Sequence, residues 1–328
     1  MRDVEMTAIA DDGLPLVGTL ALPSGPGSKS WSNHGRKGVT TATPARQHNG
    51  LTTFWVVAFT WTLVFWLLAI ALGGSAMTSP TVVPFLLGGF GPVVGAVVVR
   101  VRRSRRHQPI PAHTVRTRLS ARLLWALPML VMASATVLAA ALLSEGLGGP
   151  AVSLTEGREL IATAGGAVPF LISMLIGGPL AEEPGWRGTA YPRLRASMSR
   201  LRAGLLLGAA WAVWHLPLFF INGTVQAEFG LMSWGGLLFT LSVFPMALLT
   251  GYAYELAGVA ASIAVHFGVN TTIALLTVKS PVTQAFVLAV QIIVAAALLA
   301  SRRDRRPGLP VHADSHRQRV VSGYGSER

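Results

Sequence analysis

The chain has 328 residues, of which 51% are hydrophobic and only 12% charged, with a mean hydropathy of +0.51. So little polar surface excludes an ordinary soluble domain and indicates a polytopic membrane protein. The net charge of +13 comes from arginines gathered at helix ends and loops, the pattern that orients membrane proteins, which argues against nucleic acid as a partner. The lack of cysteine excludes disulfides, thiolate metal ligands and a cysteine nucleophile.

Residues 1–50 read as an extramembrane extension rich in Gly, Ser and Pro. Within it, EMTAIADDGLPLVGTLALPSGPG alternates like two strands around an Asp-Gly turn and predicts a β-hairpin. It resembles the opening hairpin of α/β-hydrolases, but no G-x-S-x-G follows, so it implies no such activity. The extension has no apolar h-region, so the first hydrophobic helix is expected to direct insertion. Eight stretches then approach the roughly twenty residues a bilayer core requires: 52–72, 82–100, 121–143, 160–181, 203–221, 233–253, 257–277 and 281–300. The expected architecture is an all-α bundle of eight transmembrane helices over residues 51–301. Gly88, Gly89, Gly91, Pro92 and Gly95 suit close helix packing. Residues 302–328 read as a basic, disordered tail.

Orientation follows from the loops. Arg102, Arg103, Arg105, Arg106, Arg116 and Arg118 follow the second span, and Arg187, Arg193, Arg195, Arg200 and Arg202 follow the fourth. The intervening connections hold Glu145, Glu156 and Glu228 instead. Alternation over eight spans places both termini and both arginine-rich loops in the cytoplasm, with the basic segments resting on the lipid bilayer.

Polar residues inside such spans are costly and usually line a functional interior. No aspartate lies between Asp12 and Asp304, and of eight histidines only His215 and His266 fall within spans. Glu182 and Glu183 are adjacent at the end of the fourth span, with Arg187 four residues beyond Glu183, a spacing that allows an ion pair on one helix face. Pro184 and Gly185 are expected to kink or loosen that turn. Adjacent helical residues point about 100° apart, so one glutamate can act as a general base while the other pairs with Arg187. His215 follows Trp211 by four residues. His266 and Asn270 share a face, and their N–H groups can form an oxyanion-stabilising pair. The alternatives are an interfacial Glu–Glu–Arg patch capping a helix end, a packing histidine, and plain interhelical hydrogen bonding. No pair of membrane aspartates, no H-E-x-x-H and no rhomboid-type serine motif in a suitable place is present. Glutamate and histidine chemistry remains.

At Glu182-Glu183-x-x-x-Arg187, Trp211-x-x-x-His215 and His266-x-x-x-Asn270 the chain resembles the CPBP family of membrane proteases. That family includes the Rce1-type CAAX prenyl endopeptidases and the bacterial Abi proteins. Trp211 stands where Phe is more usual. The Ala-, Gly- and Arg-rich composition points to a bacterial plasma membrane, and the resemblance implies an intramembrane endopeptidase acting on a membrane-associated protein or peptide. It implies that Glu182 with His215 activates water, that Glu183 and Arg187 shape the site, and that His266 and Asn270 hold the oxyanion. It leaves open whether the enzyme works without a cofactor or with a divalent metal such as zinc on His215, His266 and Glu182. Two other readings compete: a non-catalytic membrane binder or immunity protein, and a proton-coupled transporter, for which no internal repeat is visible.

Overall fold

The computed structural model describes residues 4–9, 15–20, 44–115 and 123–301. The chain divides into two compact units, Met1–Thr41 and Ala42–Arg328. In the first, β1 (Val4–Ile9) pairs antiparallel with β2 (Pro15–Leu20), from Val4 opposite Leu20 to Ile9 opposite Pro15. The Asp-Gly turn between them and the tail 302–328 lie outside the described residues.

The second unit is helical. Its elements are α1 (Pro44–Leu72), α2 (Val82–Gly89), α3 (Gly91–Arg105), α4 (Ala126–Gly146), α5 (Thr155–Thr163), α6 (Ala167–Leu175), α7 (Ala181–Gly185), α8 (Tyr191–Arg195), α9 (Arg200–His215), α10 (Val225–Phe229), α11 (Trp234–Ala257), α12 (Val259–Leu275) and α13 (Pro281–Ser301). The bundle core joins α4 to α12, α9 to α11, and α11 to both α12 and α13. Large apolar side chains such as Val64 on α1, Val131 on α4 and Ile293 on α13 face outward, as lipid requires and water would not tolerate.

Among the described residues, five helices are long and apolar enough to cross a bilayer: Gly50–Leu72, Ala126–Gly146, Arg200–Phe220, Trp234–Ala257 and Pro281–Ser301. Two bent pairs raise the number to seven, so the expected count of eight is not reached. The remaining candidate, α12, has 17 residues, about 26 Å against a hydrocarbon core of about 30 Å. It is also the helix that carries His266 and Asn270.

The two bends have identifiable causes. Between α2 and α3 the axis turns by 47°. Pro92 has no N–H to give the Gly88 carbonyl one turn back, and Thr62 Oγ1 donates to that carbonyl instead, at 2.7 Å. Indoles from α1 serve neighbouring carbonyls: Trp61 Nε1 to Leu87 O at 2.8 Å and Trp66 Nε1 to Phe85 O at 2.9 Å. Between α5 and α6 the turn is 88°. Gly165 and Gly166 there have φ of +88° and +113°, a region open to glycine and strained for other residues. The expected straight helix over 160–181 is therefore broken near its start.

From Ala167 the helical path continues to Arg195, with α6, α7 and α8 joined by π-helical turns at Ile176–Leu180 and Trp186–Ala190. Glu182, Glu183 and Arg187 thus lie inside a helix, not at its end. Each i→i+5 turn lets the chain pass a proline without ending the helix, and such turns recur at functional sites. Here Pro179 lies inside the first, Pro184 inside α7 just before the second, and Pro192 just after it.

The helix around α7 is held close to α3. A methyl group on Gly185 would collide with the Pro92 carbonyl and lie 2.6 Å from Pro92 Cβ. Backbone cannot yield as a flexible side chain does, so Gly185→Ala is expected to destabilise the fold by about 1–3 kcal/mol. The check is the thermal unfolding midpoint in detergent. An unchanged midpoint would show that α7 and α3 are not in this contact.

Candidate active site

The polar residues singled out in the sequence come together where α7, the adjoining π turns, α9 and α12 meet. Glu183 and Arg187 have no exposed surface, Glu182 retains 6% and His266 3%. This excludes an interfacial patch at a helix end. Glu183 Oε1 accepts from Arg187 Nη1 at 3.0 Å and from His266 Nδ1 at 2.8 Å. One carboxylate oxygen thus joins the helix of α7 to α12. The Arg187 guanidinium stacks on the Trp211 ring, with Cζ 4.3 Å from its centroid, a favourable placement for a desolvated cation.

Glu182 takes a different role from its neighbour. Its Oε2 accepts from two indoles, Trp211 Nε1 at 2.6 Å and Trp186 Nε1 at 3.3 Å. Its Oε1 faces a small space created by Gly178. A methyl group on Gly178 would lie 3.5 Å from Glu182 Oε1, 3.6 Å from Asn270 Nδ2 and 3.6 Å from His266 Nε2. A carboxylate oxygen, an imidazole nitrogen and an amide nitrogen therefore converge on one point beside a residue without a side chain.

His215 joins this group through Trp211. The Trp211 ring lies 5.3 Å from the His266 ring and 5.6 Å from the His215 ring. His215 Nδ1 donates to the Trp211 carbonyl at 2.8 Å. A carbonyl can only accept, so the proton sits on Nδ1 and the neutral ring keeps its lone pair at Nε2. Trp214 and Phe239 pack edge-on against the imidazole. An apolar recess of about 220 Å³ lined by Phe59, Leu63, Trp214 and Pro217 is separate from Glu182, His266 and Asn270.

The metal alternative does not assemble. Among the described residues no three His, Cys, Asp or Glu side chains gather closely enough to hold an ion. Three protein ligands are the usual minimum for catalytic zinc. His215 Nδ1 and His266 Nδ1 each bond a protein acceptor, and the Trp211 ring packs against both imidazoles.

Two participants, Trp186 and Gly178, escape a reading based on charged residues, and Trp211, named there for its spacing to His215, turns out also to bond Glu182. An indole buried in an apolar helix must find an acceptor for its N–H, and in this part of the chain the carboxylates supply one. That was the available signal. Gly178 carried none, since glycine is common in membrane helices.

Residues 164–272 match the family described as "Type II CAAX prenyl endopeptidase Rce1-like". The chain is also similar to a protein of Methanococcus maripaludis named "CAAX prenyl protease 2", with 34% identity over 135 residues. That alignment covers 40% of this chain and 49% of the relative, so the chain spans about half the length of the curated relative it matches. Both the carboxylates and the pair His266 and Asn270 fall inside the matched stretch.

The bond from Trp211 to Glu182 can be measured apart from any activity. In a double-mutant cycle of Trp211→Phe with Glu182→Gln, unfolding free energies should show a coupling of about 1–3 kcal/mol, as for a hydrogen bond to a charged acceptor. Simple additivity of the two changes would mean that the indole does not hold this carboxylate.

Proposed function

We propose that this chain, an integral membrane protein belonging to the Rce1-like family, is an intramembrane endopeptidase that hydrolyses a peptide bond of a membrane-associated protein or peptide. The observation that carries the reading is the convergence of Glu182 Oε1, His266 Nε2 and Asn270 Nδ2 beside Gly178. A general base and two nitrogen groups around one small space are what the addition of water to an amide carbonyl needs.

In this reading Glu182 Oε1 takes a proton from a water molecule as the water oxygen bonds to the carbonyl carbon. The displaced electron pair moves onto the carbonyl oxygen. Asn270 donates an amide N–H to that oxyanion. His266 carries a proton on Nδ1 toward Glu183, so its Nε2 is a donor only when the ring is doubly protonated. Arg187 and Glu183 position this ring and are not themselves in contact with substrate. Collapse of the adduct breaks the C–N bond, and the leaving amine receives the proton. His215 keeps a lone pair at Nε2 and serves as a proton carrier at the edge of the site. The trapped Oε2 of Glu182 leaves only its other oxygen for the reaction.

The test uses purified protein in bilayer nanodiscs with a panel of quenched fluorescent membrane peptides. Glu182→Gln should lower cleavage by about 10²–10⁴-fold, the usual contribution of a general base. Equal cleavage by wild type and Glu182→Gln would assign the signal to a contaminant and reject the proposal. A second variant separates space from charge. In Gly178→Ala the new methyl makes only ordinary contacts, so the fold should persist with an unchanged unfolding midpoint. The methyl occupies the space the reacting water needs, so cleavage should still fall by an order of magnitude or more. Full activity in Gly178→Ala would place the reaction elsewhere.

A further inference from the structure

Thr62 of α1 stands where α1, α2 and α9 meet, and its hydroxyl is used twice. Trp214 Nε1 of α9 donates to Thr62 Oγ1 at 2.9 Å, and Thr62 Oγ1 gives its own proton to the Gly88 carbonyl of α2 at 2.7 Å. Both side chains are buried. A hydroxyl has one proton, so accepting from the indole while donating to the carbonyl fixes its rotation. The acceptor is the carbonyl that Pro92, lacking an N–H, cannot serve. The glycines at the break between α2 and α3 make room for these contacts. A methyl group on Gly91 would collide with Thr62 Oγ1, and one on Gly88 would collide with the Trp66 ring.

Trp66 supports the same indole. Its ring lies 4.6 Å from the Trp214 ring, and its Nε1 donates to the Phe85 carbonyl of α2 at 2.9 Å. Trp214 is thus tied to α2 through two side chains of α1. Trp214 in turn meets His215, with ring centroids 4.9 Å apart and planes at 82°. Phe239 of α11 meets the same imidazole at 5.5 Å and 85°. The bond from His215 Nδ1 to the Trp211 carbonyl runs along its own helix. One such bond sets the direction of Nδ1 but lets the ring turn about it. Edge-on contact with two aromatic rings removes that freedom.

We propose that Thr62 is a positioning residue for His215: its hydroxyl, anchored on the Gly88 carbonyl at the α2–α3 break, fixes the Trp214 ring that sets the tilt of the imidazole and the aim of its Nε2. A valine at this position would fill the same space but leave the Trp214 N–H and the Gly88 carbonyl without their partner. Buried polar groups without partners are costly, so the indole would turn toward another acceptor and release the imidazole. The use of His215 as a proton carrier rests on the endopeptidase reading above, whereas its positioning by Thr62 rests on these contacts alone.

The experiment uses the full chain in bilayer nanodiscs, with Thr62→Val, Thr62→Ser and Trp214→Phe. Thr62→Val keeps the shape and removes the hydroxyl, and Thr62→Ser keeps a hydroxyl on a smaller side chain. Trp214→Phe removes the indole N–H and leaves the bond from Thr62 to Gly88, so it tests the link should Thr62→Val fail to fold. The first readout is the nitrogen NMR spectrum of protein labelled at histidine, with the His215 signal identified by its loss in His215→Gln. Wild type and Thr62→Ser should show one form protonated at Nδ1. Thr62→Val and Trp214→Phe should show a second form or a broadened signal. The second readout is cleavage of membrane peptides. Thr62→Val should lower kcat about tenfold with KM unchanged, as expected when a proton carrier is misaimed and substrate still binds. Thr62→Ser should recover most of that loss. An unchanged His215 signal in Trp214→Phe and in folded Thr62→Val would overturn the proposal. So would equal losses in Thr62→Ser and Thr62→Val, because the hydroxyl would then not be what matters. Absence of cleavage by wild type would count against the endopeptidase reading, and the histidine spectrum would decide the positioning by itself.

Discussion

The site depends on one buried carboxylate oxygen. Glu183 Oε1 bonds Arg187 on its own helix and His266 on α12, in a region where neither Glu183 nor Arg187 reaches the surface. Taking isolated charges out of water costs several kcal/mol each, and the ion pair and its bonds offset that cost. Glu183 Oε2 and Arg187 Nε and Nη2 stay buried without a hydrogen-bond partner among the described residues. Removing Glu183 or Arg187 leaves the other's charge uncompensated in an apolar bundle, and removing His266 takes one donor from Glu183 Oε1. The same bond fixes the tautomer of His266 and the direction of its ring. The polar network therefore sets the register between the helix of α7 and α12 as well as the chemistry available at Nε2.

Helix geometry makes this possible. A regular α-helix would point Glu182 and Glu183 about 100° apart, and an outer helix would bury at most one of them. The segment 181–185 has neighbours on more than one side, with α3 against Gly185 and α12 against Glu183. Both carboxylates are consequently interior. The π turns on either side carry the chain past three prolines without an interruption. They let Gly178, a full turn before Glu182, open toward the same space. The 88° bend at Gly165 and Gly166 frees this helix from the straight path a simple span would impose.

Much of this is legible in the sequence because charge in an apolar helix is conspicuous. Glu182, Glu183, Arg187, His266 and Asn270 stand out by residue type alone, and the four-residue spacing from Glu183 to Arg187 is realised as an ion pair. The path of the helix is not legible in the same way. Hydropathy reports how apolar a stretch is and not which way it runs, so the bends at 47° and 88° are invisible to it. A count of eight straight spans was the natural outcome. The position of the glutamates inside a helix was equally hidden, because Pro184 and Gly185 ordinarily mark an end. Trp211 was named for its spacing to His215, but its bond to Glu182, and Trp186 altogether, were missed for another reason. In a membrane protein tryptophan reads as an interfacial anchor or packing residue, and only the three-dimensional placement shows an indole N–H directed at Glu182.

The two adjacent glutamates end up chemically unequal, and the donors around them explain why. Glu183 faces a guanidinium and an imidazole through one oxygen, so its negative charge is engaged in holding helices together. Glu182 faces only indole N–H dipoles, both on Oε2. Those bonds orient the carboxylate without neutralising it by a full opposite charge. Its Oε1 is left directed at the space beside Gly178, near His266 Nε2 and Asn270 Nδ2. A base needs one oxygen held firmly and the other left for the reacting proton, and Glu182 has that arrangement beside two nitrogen groups; Glu183 Oε2, by contrast, is buried without a hydrogen-bond partner among the described residues. In the proposed reaction Glu182 serves as the base because its free oxygen faces His266 Nε2 and Asn270 Nδ2, and Glu183 serves as support through its ties to Arg187 and His266.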